Sequence, residues 1–347
     1  MQRNEVDKID RVAYLRMPQT VLRFLGHTEI SRYRFFQFPI IDINRPEWFG
    51  APEKELLEVN RILLGALSLP ISSIDAQGGD WEQGQDETVV DYSALHNGYL
   101  RSRLHKNKVP ISVAPYSAID FSPRLADLKL PFEDLARCFV RSRRLGRYAN
   151  IKKFYDWTGP SKQSAGIYLR WFWRSEALNF DLARSRVKLA RQNLESISPF
   201  FGEYMRASRA LLVLPSAPPD TPDYGESIKK MLRGNSKLLE YIENYQPTIF
   251  VKPHPWLGEV SSADFEFLRS KVQFAKLNID KAIPAEALLF SRDDSKVAAH
   301  IGSSIFSLDS TRIFALEEDN TRKLLKSYHL TGSRRMMNDT SFPWRTD

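Results

Sequence analysis

The chain has 347 residues, 42% hydrophobic and 27% charged, enough to bury an ample core and to build two domains. A single cysteine, Cys138, excludes a disulfide framework and any cysteine-based metal cluster, and no run approaches the length of apolar residues that a membrane span needs. The formal charge of +8 admits anionic partners. Its basic residues gather at Arg141-Ser-Arg-Arg144, Lys152-Lys153 and Arg184 to Arg191, with no zinc-finger spacing and no aromatic RNA-binding signature, so they read as a solvated face and no nucleic-acid partner is expected.

The first ten residues lack the apolar core of a signal peptide, which places the expected site of action in the cytoplasm. Arg11-Val-Ala-Tyr-Leu reads as a first strand, and Arg34 to Asp42 as another that Pro39 demotes to a sheet edge or a loop. Pro52 to Leu67 has proline at a first helical position, acids in the first turn and apolar residues at helical spacing, and predicts a helix. Asp75 to Glu87 is polar and reads as a surface loop. Strand, helix and strand are expected at Thr88 to Tyr92, Ala94 to Lys106 and Val109 to Ala114. From Pro131 to about Ser196 the chain reads as a largely helical insertion. It contains the aromatic-basic run Tyr168-Leu-Arg-Trp-Phe-Trp-Arg174, taken as core with a basic rim, and a charged helix from Asp181 to Glu195.

After a break at Ser196 to Gly202 the pattern alternates. Strands are expected at Ala210 to Leu214, Thr248 to Val251, Val272 to Leu277, Lys296 to Ile301 and Arg312 to Leu316. Helices are expected at Glu226 to Asn244, Ser262 to Lys271, Pro284 to Phe290 and Asn320 to Tyr328. Such alternation implies βαβ units and a parallel sheet. The expected division is an N-terminal α/β domain over 1–200, a C-terminal Rossmann-like domain over 201–330, and a tail from 331 to 347.

The strand at Thr248 to Val251 stops at Lys252-Pro-His-Pro255. Neither Pro253 nor Pro255 can donate a ladder hydrogen bond, so His254 is held between two rigid residues at the carboxyl end of a strand, the edge where ligands sit in open α/β sheets. Lys252 and His254 there suit a phosphate. Two further features follow later strands. Glu286 opens a helix and is suited to accept hydrogen bonds from a ribose diol. Gly302 permits a tight turn, and Ser303-Ser304 supply hydroxyls and free N–H groups at a helix start. Strands of one parallel sheet end on one edge, so these residues can converge. No Gly-x-x-x-x-Gly-Lys-[Ser/Thr] and no Gly-x-Gly-x-x-Gly occurs, so neither a P-loop kinase nor a dinucleotide dehydrogenase is indicated.

Together, Val251-Lys-Pro-His-Pro255, Ile283-Pro-Ala-Glu-Ala-Leu-Leu289 and Gly302-Ser-Ser304 resemble the donor-binding half of bacterial sialyltransferases and polysialyltransferases, over about Ala210 to Tyr328. The resemblance implies the GT-B architecture, two Rossmann-like domains with parallel sheets facing across a cleft. It implies that His254, Ser303 and Ser304 contact the phosphate of CMP-sialic acid, that Glu286 binds the cytidine ribose, and that inverting transfer needs no metal and no cofactor. The partners implied are a CMP-activated donor and a glycan acceptor, in a bacterial surface polysaccharide; the basic surface favours an anionic acceptor or peripheral contact with the cytoplasmic membrane face. The family's paired acidic base motif is missing from the N-terminal half. Asp120 is the best substitute for the general base, and Asp91, ending the preceding strand, is second. Two alternatives stand beside this reading. The glycerophosphotransferases that use CDP-glycerol also place His-Pro and Ser-Ser motifs around a cytidine nucleotide, and the missing acids suit an inactive nucleotide- or glycan-binding relative.

Overall fold

The computed structural model of the protein describes residues 8–37, 53–73, 84–91, 109–114, 150–158, 174–214, 232–252, 275–276, 282–299 and 312–315. These fall into two compact units that divide between Ala190 and Arg191. The expected elements at Ala94 to Lys106, Ser262 to Lys271 and Asn320 to Tyr328, the aromatic run from Tyr168 to Trp173, and the tail lie outside the described residues.

The first unit holds a seven-stranded sheet. Its strands are β1 (Arg11–Leu15), β2 (Tyr33–Gln37), β3 (Ile71–Ser73), β4 (Glu87–Asp91), β5 (Pro110–Ala114), β6 (Asn150–Thr158) and β7 (Arg174–Asn179), in the order β3-β2-β1-β4-β5-β6-β7. Every neighbouring pair is parallel. In β1, β4 and β5 every residue after the first is buried, as expected of strands covered on both faces. Helix α1 (Pro18–Phe24) links β1 to β2. Helix α2 (Glu53–Gly65) precedes β3 and buries Leu56, Val59, Asn60, Leu63 and Leu64, the helical spacing that its sequence predicts. Helix α3 (Phe180–Ile197) starts directly after β7, where the Asn179 side chain accepts the Leu182 N–H at 3.0 Å and caps it.

Three sequence expectations are corrected. The chain from Pro131 to Ser196 is only partly helical where described: β6 and β7 occupy 150–158 and 174–179, and the helix is confined to the residues from Phe180 on. Arg174-Ser-Glu-Ala-Leu-Asn has helix-favouring composition. Six register pairs with β6 outweigh a propensity worth only tenths of a kcal/mol per residue. Strand β2 (Tyr33–Gln37) is neither an edge nor a loop, because it lies between β3 and β1; Pro39 lies outside the described residues. Glu87 is not in a surface loop but opens β4, with its side chain 9% exposed.

The second unit begins within α3 and continues with α4 (Pro199–Arg206), which fills the expected break. Ser198 accepts the Phe201 N–H there and Pro199 takes the first turn. Its five strands are β8 (Ala210–Leu214), β9 (Thr248–Val251), β10 (Ala275–Lys276), β11 (Lys296–Ala299) and β12 (Ile313–Ala315), ordered β10-β9-β8-β11-β12 and all parallel. Helix α5 (Ser236–Tyr245) lies between β8 and β9, and α6 (Ala285–Ser291) between β10 and β11. Apolar strand residues such as Leu212, Phe250 and Val297 are at most 1% exposed, each contributing roughly 1.5–3 kcal/mol by burial. The expected α/β class with parallel sheets is thus observed. Both sheets start at a central strand, run outward to one side and then return to the other, so each has a point where the strand order reverses: between β1 and β4, and between β8 and β11.

Candidate functional site

Ligands of such sheets bind beyond the carboxyl ends of the strands, near the point of reversal. In the second unit Lys252 follows β9 directly. Its N–H donates to Val213 O at 3.0 Å, prolonging the β8–β9 ladder, and the residue is 4% exposed. Glu286 stands in the first turn of α6, behind the extended Pro284, and is likewise 4% exposed. Because α6 runs from the carboxyl end of β10 back to the start of β11, its first turn opens on the same edge as Lys252. A lysine and a glutamate are rarely held this deep unless partnered, and each makes interactions within the fold. His254, Pro255, Gly302, Ser303, Ser304 and Asp120 lie outside the described residues.

The opposite edge of this sheet is locked. Arg292 donates to Tyr204 O at 2.5 Å and pairs with Asp294 at 2.6 Å. The Tyr204 hydroxyl donates to Ser295 Oγ at 2.7 Å, and Arg312 donates to the carbonyls of Ser295 and Arg292 at 3.0 and 2.9 Å. Burial pushes the Tyr204 phenol up to about 12, so it stays a donor. These bonds fix the α6–β11 turn and so the helix that carries Glu286.

In the first unit the reversal lies between β1 and β4, and Asp91 ends β4 there with no exposed surface. Its Oδ2 accepts the N–H groups of Arg16 and Met17 at 3.0 and 3.1 Å. The carbonyl of the same Arg16 accepts from Gln37 Nε2 at 2.6 Å and from Asn60 Nδ2 at 3.4 Å, and Asn60 also donates to Gln37 Oε1. The turn leaving β1 is therefore gripped from β2, β4 and α2 at once.

At the amino ends of these strands lies a second polar cluster, centred on Glu87. It accepts from Tyr33 at 2.7 Å, Tyr155 at 2.8 Å and Ser112 at 2.6 Å, and Lys153 stands 2.9 Å away. Burial alone would raise the Glu87 carboxyl, but the bonds from Ser112, Tyr33 and Lys153 outweigh it and hold the group down at about 2. Behind it sits His27, 4% exposed. Its Nδ1 accepts the Glu29 N–H at 3.2 Å, which leaves the proton on Nε2, 3.1 Å from the Tyr155 oxygen. Burial lowers the imidazole to about 4, so it is neutral at physiological pH. Burial likewise raises both phenols, and each remains a proton donor to Glu87. The cluster is closed upon itself and sits at the edge away from the expected ligand side. Its one sequence signal was the row of polar residues Glu87, Ser112 and Lys153 within or beside apolar strands.

No family model matches the chain, and no curated protein matches it. Among solved structures the chain is similar to the GT-B domain of a sialyltransferase from Photobacterium damselae, with 13% identity, 95% of this chain and 98% of that one covered, and a TM-score of 0.48. It is similar to a UDP-GlcNAc 2-epimerase from Methanocaldococcus jannaschii, with 13% identity, 94% and 98% coverage and a TM-score of 0.46. It is also similar to MurG from Acinetobacter baumannii, with 11% identity, 95% and 84% coverage and a TM-score of 0.35. At these scores and identities the likenesses carry no weight for activity.

Proposed function

We propose that the chain is a GT-B glycosyltransferase that moves sialic acid, or a related ulosonic acid, from a CMP-activated donor to a glycan acceptor. The observation that carries this reading is the pair Lys252 and Glu286, two buried charged residues on the carboxyl edge of one parallel sheet. In sequence they belong to the motifs Lys252-Pro-His-Pro255 and Pro284-Ala-Glu286. In the proposed site His254 and the Ser303-Ser304 amides hold the donor phosphate, Lys252 adds positive charge, and Glu286 takes the ribose diol. The sugar is transferred with inversion and without a metal. Asp120 removes the acceptor proton. The setting is surface polysaccharide assembly at the cytoplasmic membrane face. Among the described residues no helix is long and apolar enough to cross a membrane.

A second reading, a nucleotide-binding protein without turnover, is favoured by the missing paired acid. Thermal shift with CMP, CMP-sialic acid, CDP-glycerol and UDP-sugars tests the donor class, since a ligand that binds only the folded chain stabilises it by mass action. Stabilisation by the two CMP ligands alone is the expected result. A shift with CDP-glycerol and none with CMP-sialic acid overturns the sialyl reading. Binding of CMP without turnover on any glycan acceptor selects the second reading.

A further inference from the structure

The Asp91 carboxylate ends a strand at the reversal point of the first sheet, where a general base would also stand, yet its contacts describe a different job. One oxygen, Oδ2, accepts two consecutive backbone N–H groups, those of Arg16 and Met17. These belong to the turn between β1 and α1, where the amides have left the β-ladder and need an acceptor of their own. On the other side of the Arg16 residue, Gln37 and Asn60 donate to its carbonyl. All three side chains are buried, at 0% for Asp91, 2% for Gln37 and 0% for Asn60. The three come from β4, β2 and α2, so the turn is held at a fixed position on the carboxyl edge by side chains 21 to 75 residues away from Arg16 in the chain. Arg16 itself is the cation so placed, at 6% exposure.

We propose that Asp91 is a positioning residue of the acceptor-side site and not the proton acceptor: it fixes the β1–α1 turn, and with it the Arg16 backbone, at the reversal point of the sheet. A base must meet the acceptor hydroxyl within hydrogen-bond reach. The exposed surface of Asp91 is nil, and one of its two oxygens is committed to the turn. The catalytic consequence rests on the transferase reading above; the structural one does not.

Two substitutions separate the roles, because an asparagine carbonyl accepts the same two N–H groups but cannot take a proton. Asp91→Asn and Asp91→Ala are compared with the wild type in thermal midpoint, in CMP affinity by calorimetry, and in kcat and KM against pH with CMP-sialic acid and a glycan acceptor. The expected result is that Asp91→Asn keeps the midpoint and keeps kcat/KM within about threefold with an unchanged acid limb, while Asp91→Ala lowers the midpoint and raises the acceptor KM about tenfold or more. A folded, CMP-binding Asp91→Asn that loses turnover makes Asp91 the base and overturns the proposal. So does an Asp91→Asn chain that fails to fold, or an Asp91→Ala chain with wild-type midpoint and KM. If the wild type turns over no donor, the transferase reading has failed by itself, and the order of midpoints, with Asn near wild type and Ala below, still decides whether Asp91 holds the turn.

Discussion

His27 and Glu87 show how a buried polar cluster couples folding to pH. The folded His27 imidazole titrates at about 4 against an ordinary 6.5, because burial disfavours its charged form. Above pH 6.5 neither state carries the proton and the residue is neutral toward stability. As pH falls from 6.5 toward 4 the unfolded chain takes up a proton that the folded chain refuses, and on the order of 3 kcal/mol of stability is lost. Glu87 works at lower pH: its folded carboxyl, held at about 2 against 4.5, contributes stability above pH 4.5 that is lost as pH falls through 2. We expect the unfolding midpoint to drop steadily between pH 6.5 and 4, and His27→Gln to flatten that slope; an unchanged slope in the variant would refute the assignment. Gly26 is a second residue-scale constraint. A Cβ there would stand 2.6 Å from the Asn179 backbone oxygen, and Gly26 O accepts the Asn179 N–H at 2.9 Å. Arg186 meanwhile donates to the carbonyls on either side, Leu25 and His27, at 2.5 and 2.6 Å. With no room to move, Gly26→Ala should cost about 2 kcal/mol in urea denaturation.

At the scale of elements, α2 ends in a way its sequence obscures. Ser68 takes a left-handed conformation at φ 57°, its N–H donates to Gly65 O at 2.8 Å, and the Leu69 N–H reaches back to Leu64 O at 3.0 Å. This is the glycine-favouring helix ending, closed by buried Leu64 and Leu69, yet the glycine stands three residues early, inside the helix, where a Cβ would meet open space. Gly65→Ala should therefore raise stability by about 0.5–1 kcal/mol, and Ser68→Gly by about 1 kcal/mol. Each change is read separately in thermal midpoint, because the Ser68 N–H to Gly65 O bond couples the two sites. A fall in midpoint for either would mean the ending differs in solution. The same scale explains what sequence reading caught and missed. Helix α2 and the charged helix within α3 announce themselves through apolar residues on one face. Strand β7 does not, because Arg174 to Asn179 becomes a strand only through the ladder with β6.

For the whole molecule, two parallel sheets with central starting strands give two carboxyl edges, and the proposed roles divide between them. If the second sheet alone holds the nucleotide, CMP should slow hydrogen exchange in β9 and α6 and leave the amides of β1, β4 and β5 unchanged. Protection confined to the first sheet would reverse that division. The amino-acid sequence by itself determined the α/β class and the positions of β1, β5, β8, β9 and β11. It also marked Lys252 and Glu286 as residues of a strand end and a helix start. These are local properties: apolar runs, prolines that stop a strand, acids in a first turn. Only the tertiary structure decided that β2 is an inner strand, that β6 and β7 extend the first sheet, and that Glu87 is a buried hub. It likewise decided that Asp91 clasps the turn after β1. Each of those depends on partners far along the chain, 68 residues from Glu87 to Tyr155 and 75 from Asp91 to Arg16, and a hydrogen bond closed over such a span leaves no period in the sequence to read.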